Sequence, residues 1–248
     1  QERLHEMNRY DRQIPVIGTD GQERLKKARV LIAGAGGLGT VISAYLCLAG
    51  VGFMRIVDSD TVEESNLNRQ FLNLADDIGK SKAHCIQERL SLMNPGICIE
   101  ALRETITEAN ACSLAGTCDI IIDALDNFTA RFLLNRAAFE LDIPFIHGAV
   151  QGYYGQSATI VPGRTACLRC MFPQSPSGEK VPVIGTTCGI IGSMQANEAI
   201  KHLCRIEGGQ TPGRLLLWDG LRGDMNILEI SRDPSCSDCH PENRSDSE

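Results

Sequence analysis

The sequence predicts an α/β fold with a doubly wound, mostly parallel sheet, and three observations predict it. Short apolar runs alternate with segments of helical length from Ala28 to Val150. A glycine-rich turn at 34–39 joins the first of those runs to the first of those segments. After Gly152 the rhythm changes to strand-like runs in quick succession, which suit antiparallel strands added to the same sheet.

Each element follows from local pattern. Leu4 and Met7 suggest a short helix that Pro15 interrupts, and Asp20 with Glu23 makes a capping box for QERLKKA. ARVLIAGA reads as a strand buried on both faces, GLGTVISAYLCLAG as a helix ended by Gly50, and GFMRIVD as a second strand. A helix over SKAHCIQERLSLM, strands at ICIEAL and CDIIIDAL, a helix from Asn127 to about Leu141 and a strand at IPFIHGAV continue the alternation. Beyond it come a strand at QSATIVPG, a loop FPQSPSGEKVPVIG bearing Pro and Gly, and a helix with Ala196, Ala199, Ile200 and Leu203 on one face. RLLLWDG and NILEIS close the sheet.

The 248 residues suit one domain, with a nucleotide-binding half at about 1–150 and a second half at about 151–240. A polar tail at 241–248 is expected to fray after Cys239. With 43% hydrophobic and 22% charged residues the composition is that of a soluble globular protein, and no apolar run approaches the roughly 20 residues a membrane span needs. QERLHEMNRYDRQ does not have the pattern of a signal peptide. A formal net charge of −7 argues against nucleic acid or an anionic membrane as the main partner.

The turn Gly34-Ala35-Gly36-Gly37-Leu38-Gly39 fits G-x-G-x-x-G between a strand and a helix, and Asp58 ends the next strand about 20 residues later. Glycines admit a tight turn and close approach to phosphate, the helix N-terminus offers N–H groups, and the acid accepts ribose hydroxyls. This Rossmann-like signature does not separate NAD, FAD and ATP. Arg12, Arg69 and Lys82 point to a triphosphate, because cleaving one calls for positive charge along its length. Singly each reads as a surface cation; together they distinguish an ATP site from an oxidoreductase.

Eleven cysteines are too many and too unevenly placed for a disulfide scaffold: Cys47, Cys85, Cys98, Cys112, Cys118, Cys188 and Cys204 are scattered singly. Cys167 with Cys170 and Cys236 with Cys239 form two Cys-x-x-Cys pairs, which point to metal in a reducing cytoplasm. Four thiolates suit a closed tetrahedral zinc site, although the separation of the pairs exceeds that of a compact zinc ribbon. A thioredoxin-like redox pair lacks its surrounding fold pattern.

RYDRQI at 9–14, GAGGLG at 34–39, DSDTVEESNLNRQ at 58–70, GKSKA at 79–83, DALDNFTAR at 123–131, the cysteine pairs and GSMQANEAIK at 192–201 span nearly the whole chain. In that order they resemble the MoeB/ThiF family, bacterial E1-like adenylyltransferases of ubiquitin-like sulfur-carrier proteins. The resemblance implies that ATP activates the C-terminal glycine of a carrier ending in Gly-Gly, for molybdopterin or thiamine synthesis, in the cytoplasm. It also implies that Gly34, Gly36, Gly37, Gly39, Asp58, Asp60, Ser65, Asn66, Leu67, Asn68, Arg69, Gln70, Lys82, Asp126 and Asn127 line ATP. Asp126 resembles the Mg²⁺ carboxylate, and Arg12 the arginine that enters a neighbouring subunit's site, which requires a homodimer. The four paired cysteines become a structural Zn²⁺ site, and 151–240 the carrier-binding half.

Other assignments weigh less. Asp126 also suits a helix N-cap. His147 reads as a satisfied structural histidine rather than an acid or base. Some relatives carry a covalent cysteine in the loop that corresponds to MFPQSPSGEKVPVIGTT, which holds none here; Cys188 follows it and reads as a packed small hydrophobe. Adenylation alone is therefore expected, with sulfur delivered by a separate protein. The rivals are activation of a short peptide or a tRNA base and, less favoured, an NAD- or FAD-dependent oxidoreductase.

Overall fold

The computed structural model describes residues 9–174, 182–206 and 213–240. Eight strands form one sheet: β1 (Arg29–Ala33), β2 (Phe53–Val57), β3 (Cys98–Leu102), β4 (Ile120–Asp123), β5 (Phe145–Gln151), β6 (Tyr154–Ile160), β7 (Arg214–Asp219) and β8 (Asp224–Glu229). Their order is β3-β2-β1-β4-β5-β6-β7-β8. The first five strands pair in parallel, and β6, β7 and β8 add antiparallel to one edge, as the change of rhythm after Gly152 predicts.

Helices α1 (Ile14–Lys27), α2 (Gly37–Ala49), α3 (Lys82–Met93), α4 (Ala111–Ala115), α5 (Phe128–Leu141), α6 (Leu168–Met171) and α7 (Gly185–Cys204) flank the sheet. Both faces are covered, which is why the central strands read as unbroken apolar runs. Along β1, Val30 and Ile32 enter one core with residues of α2, α3 and α7, whereas Leu31 and Ala33 enter the other with residues of α4 and α5. The alternation is the period of two of a strand whose faces both meet helices.

Where the strands end decides where the site lies. Ala33 at the end of β1 pairs with Val57 on one side and with Asp123 on the other, so β1, β2 and β4 stop in line. Strand order reverses between β1 and β4, and ligands of such sheets bind in the crevice beyond the carboxyl ends at that point.

One local expectation is corrected, and one element was not expected. Pro15 sits in the first turn of α1, where its missing N–H costs nothing, and the helical path breaks at Gly18 (φ 74°, ψ 162°), just ahead of Asp20. Helix α4, the short ACSLA segment, has no counterpart in the sequence pattern, which is too brief to carry a period. The Leu4–Met7 helix and the tail at 241–248 lie outside the described residues.

Candidate functional site

The glycine turn forms the floor of the crevice. Gly34 has φ 101°, and a Cβ there would sit 2.5 Å from the Ala124 carbonyl oxygen; a Cβ on Gly39 would sit 1.9 Å from the Gly34 carbonyl oxygen. Only glycine permits this packing of the turn against itself and against the end of β4. Gly36 precedes α2 as its N-cap, so the first N–H groups of that helix open onto the crevice.

Asp58 stands on one wall. Its Oδ2 accepts from the Ala35 N–H at 2.7 Å and its Oδ1 from the Asp60 N–H at 2.8 Å, which fixes the carboxylate beside the glycine turn. Burial pushes its carboxyl above the usual range, against the two backbone N–H groups that favour the charged form. Lys82, at the start of α3, is nearly buried and donates to Asp60 Oδ2 at 2.7 Å, while its backbone N–H bonds the Asp60 carbonyl. A cation is thus held next to Asp58 by an exposed carboxylate.

The segment after β2 continues through a 3₁₀ helix at Glu64–Asn66 and returns to the glycine turn at Arg69. Arg69 donates through Nη1 to the Ser65 carbonyl at 2.8 Å and to Asn68 Oδ1 at 3.0 Å. Its Cδ would lie 3.5 Å from a Cβ on Gly37, so the arginine stem covers the glycine turn. Gly185, the first residue of α7, meets the same segment: a Cβ there would be 2.8 Å from the Asn68 carbonyl oxygen.

The residues expected to line ATP therefore divide in two. Ser65 and Asn68 are exposed, but Asn66 and Gln70 are buried and occupied: Asn66 Oδ1 accepts from the Glu63 N–H at 3.0 Å, and Gln70 Oε1 from Asn73 Nδ2 at 2.9 Å. Their side chains shape the turn. Asp126 is exposed at the β4–α5 turn. The cap of α5 is Asn127, whose Oδ1 accepts from the Ala130 N–H at 2.9 Å, which leaves the Asp126 carboxylate free of that duty.

Arg12 is not in this cluster. Tyr10 packs on Gly50, and Gln13 donates to the Ala49 carbonyl at 2.9 Å, so the segment lies at the far end of α2. Thirteen helical residues separate that end from the glycine turn, about 20 Å at 1.5 Å per residue.

Cys188 lies on α7 and is buried, with its Sγ 2.7 Å from a Cβ built on Gly37. Burial pushes the thiol up, with Arg69 opposing it more weakly, so the side chain packs as a neutral group. His147 is fully buried; its Nδ1 lies 2.7 Å from Asp123 Oδ2 and its Nε2 3.1 Å from Gln156 Nε2. It is the satisfied structural histidine that its sequence context predicts. Asp123 and Arg131, which complete this buried group, went unassigned in the sequence although both fall in DALDNFTAR; a carboxylate closing the apolar run IIID was the available signal.

On the other face of the sheet the paired cysteines converge. Cys167 to Cys170 is 3.7 Å between sulfurs, Cys167 to Cys236 3.5 Å and Cys170 to Cys239 3.6 Å, with all four inside 4.8 Å. Four sulfurs at about 2.3 Å from zinc stand about 3.8 Å apart, so the spacing fits a tetrahedral Zn²⁺ site. Asp233 donates its N–H to Cys170 Sγ at 3.4 Å. Asp238, buried between the second pair, accepts from Asn135 Nδ2 at 3.3 Å and faces Arg136 and Arg169, which ties the knot to α5. The knot thus ties the segment after β8 to α5, a helix of the parallel half.

Three comparisons with known proteins agree. The ThiF family model matches residues 10–238. A sulfur carrier protein adenylyltransferase of Thermus thermophilus is 40% identical over 96% of this chain and 92% of its own length. The SAMP-activating enzyme E1 of Haloferax volcanii is 37% identical over 94% and 89%, and the sulfur carrier protein ThiS adenylyltransferase of Escherichia coli 37% identical over 93% and 94%. The crystal structure of E. coli MccB with ATP has the same fold, with a TM-score of 0.82 at 23% identity over 93% of this chain and 73% of that one.

Proposed function

Because the chain belongs to the ThiF family, we propose that it is an ATP-dependent nucleotidyltransferase that joins the C-terminal glycine carboxylate of a ubiquitin-like sulfur-carrier protein to AMP. One observation carries the reading: beyond the carboxyl ends of β1, β2 and β4 the Arg69 stem packs on Gly37 of the glycine turn, and Lys82 stands near Asp58, which is bonded to Ala35 of the same turn. The names of relatives at 37–40% identity supply the substrate class. Activation of a short peptide rests on likeness of fold alone, at 23% identity, and is the weaker reading.

The chemistry needs no general base. A C-terminal carboxyl has a pKa of about 3.3–3.7 and is ionised at neutral pH. Its oxygen attacks the α-phosphorus, the new P–O bond forms, and the bond to the bridging oxygen breaks with its electron pair leaving on pyrophosphate. Two anions must approach, so orientation and positive charge dominate the barrier. Glycine-turn N–H groups would hold the phosphates, Asp58 the ribose, and Arg69 with Lys82 the charge of the triphosphate. His147, fully buried and bonded at both nitrogens, takes no proton.

Asp126, exposed at the turn, fits an Mg²⁺ ion, which when bound would neutralise phosphate charge. Arg12, far from its own crevice, would serve the site of a second copy in a homodimer. The four cysteines would hold Zn²⁺ in a closed, structural site. The seven cysteines outside that set, none in a disulfide, favour a reducing cytoplasm.

The test is ATP–pyrophosphate exchange with purified carriers, read alongside carrier mass. Exchange that appears only with carrier, and a carrier heavier by about 329 Da from covalent attachment of AMP, is the expected result. No exchange and no mass gain across carriers with Gly-Gly ends would overturn it.

A further inference from the structure

The buried group behind the β4–α5 turn bears on the same site, and its role there rests on the reading of Asp126 as the carboxylate that faces the metal. Asp126 is exposed, yet the backbone leading into it is held from below. The Leu125 N–H donates to Asp123 Oδ1 at 3.0 Å, and the Leu125 carbonyl, which shares a peptide bond with Asp126, accepts from Arg131 Nη2. Arg131 Nη2 also donates to the Gly148 carbonyl on β5 at 3.2 Å, and its Nε lies 3.4 Å from Asp123 Oδ2. That oxygen accepts from His147 Nδ1 at 2.7 Å. A carboxylate only accepts, so the imidazole proton sits on Nδ1, and Nε2 accepts from the Gln156 amide.

Exposure of the Arg131, Asp123 and His147 side chains is 5%, 0% and 0%. A buried ion pair stabilises a fold no better than apolar residues of the same volume, so volume alone does not account for it. What the guanidinium supplies is a rigid fork that reaches a carboxylate and two carbonyls at once, which an ammonium does not reproduce.

We infer that Arg131, braced by Asp123 and His147, is a positioning residue that sets where the Asp126 carboxylate stands. Groups that orient a metal ligand typically alter metal affinity or activity by about 10–100-fold when changed.

The experiment titrates Mn²⁺ into the full-length protein with ATP, reads bound ion by electron paramagnetic resonance, and follows melting in parallel. Arg131→Lys and His147→Leu are expected to raise the Mn²⁺ concentration for half-saturation about tenfold, with metal-free ATP binding unchanged. His147→Asn, which restores an N–H toward Asp123, is expected to return it to within about twofold of the parent value, a margin well inside that range. Variants that melt lower but keep the parent half-saturation would overturn the inference, since the group would then only support the fold. Should Arg131→Lys fail to fold, the two His147 variants decide. Asp126→Asn separates the premises: an unchanged Mn²⁺ requirement there overturns the reading of Asp126, whereas a changed one with an unaffected His147→Leu overturns only the role of Arg131.

Discussion

At the glycine turn, two of the side chains proposed to meet a ligand, Asp126 and Arg69, are exposed or half-exposed while the groups that hold them are buried; at the cysteine knot the sulfurs proposed to hold an ion are themselves mostly buried. Asp126 is exposed and Arg69 half-exposed over a backbone tied by Asp123, Asn66 and the close approach of Gly39 to Gly34. Cys167, Cys236 and Cys239 are buried, and Asp238 clamps them to α5. An open cluster of charge on a rigid frame serves chemistry, because its groups meet a ligand at little cost in reorganisation. A closed set of soft ligands serves stability, because binding its ion is part of the folding free energy.

The comparison breaks most plainly if charge at the glycine turn proves dispensable. Arg69→Ala and Lys82→Ala are each expected to lower ATP–pyrophosphate exchange by about 10³-fold or more, the range for a cation that stabilises phosphoryl-transfer charge. Melting should barely move. Lys82 pairs with Asp60, whose side chain is 61% exposed and keeps water as a partner, so its removal costs little beyond weaker support of the half-buried Asp58 carboxylate. Exchange within about tenfold of the parent in both variants, against that range, would show that the cations are surface charges.

The knot should give the converse. Cys170→Ser or Cys239→Ser is expected to abolish bound zinc and to lower stability by several kcal/mol. At about 2–4 °C per kcal/mol for a chain of this size, the melting midpoint should fall by roughly 10 °C. Exchange measured well below the new midpoint should persist. Zinc loss is read by atomic emission; loss of exchange in protein still folded would assign the knot to the chemistry.

A smaller effect tests Asp58. Its folded-state pKa lies above the ordinary carboxylate value, so its ribose-accepting form is lost as pH falls through that raised pKa. ATP affinity should therefore weaken as pH falls through that raised pKa, by at most about tenfold per pH unit, and Asp58→Asn should remove the dependence. The fold responds in the opposite sense: a raised pKa means that the folded state binds this proton more tightly, so protonating Asp58 favours folding over the same window. Titration of ATP by calorimetry separates the two.

Legibility in the sequence divides along the same line. The parallel sheet, its glycine turn and its antiparallel additions were readable because each rests on a local pattern: unbroken apolar runs in β1 and β4, G-x-G-x-x-G between strand and helix, short strands after Gly152. The break at Gly18 and the brief α4 were not, since one depends on a single glycine's φ and the other is shorter than a helical period needs. At the site, Asp58, Arg69 and Lys82 were readable as residue types the proposed chemistry requires. Asn66 and Gln70 were read as ATP contacts; their side-chain oxygens take bonds inside the loop, which spacing along a loop does not reveal. Asp123, Arg131 and His147 meet only through strand register and a helix packed across it, and Asp238 through contacts from α5 and α6.

The smallest expected effect concerns Cys188, which touches the glycine turn and yet belongs, by its burial, with the structural groups. Its sulfur lies against Gly37 within reach of the Arg69 charge, but burial pushes the thiol up, and a thiol held neutral is a poor nucleophile. Cys188→Ala removes one buried sulfur and leaves a small void, a change worth about 1 kcal/mol by analogy with the deletion of a buried methyl. Exchange should stay within about threefold of the parent, since about 1.4 kcal/mol is a factor of ten and the void would express only part of its cost at the turn. A drop of about a hundredfold or more, beyond what that void can cost, with zinc and melting unchanged, would mean that the sulfur acts directly in the crevice, and the division between exposed chemistry and buried support would fail at the point where the two regions touch.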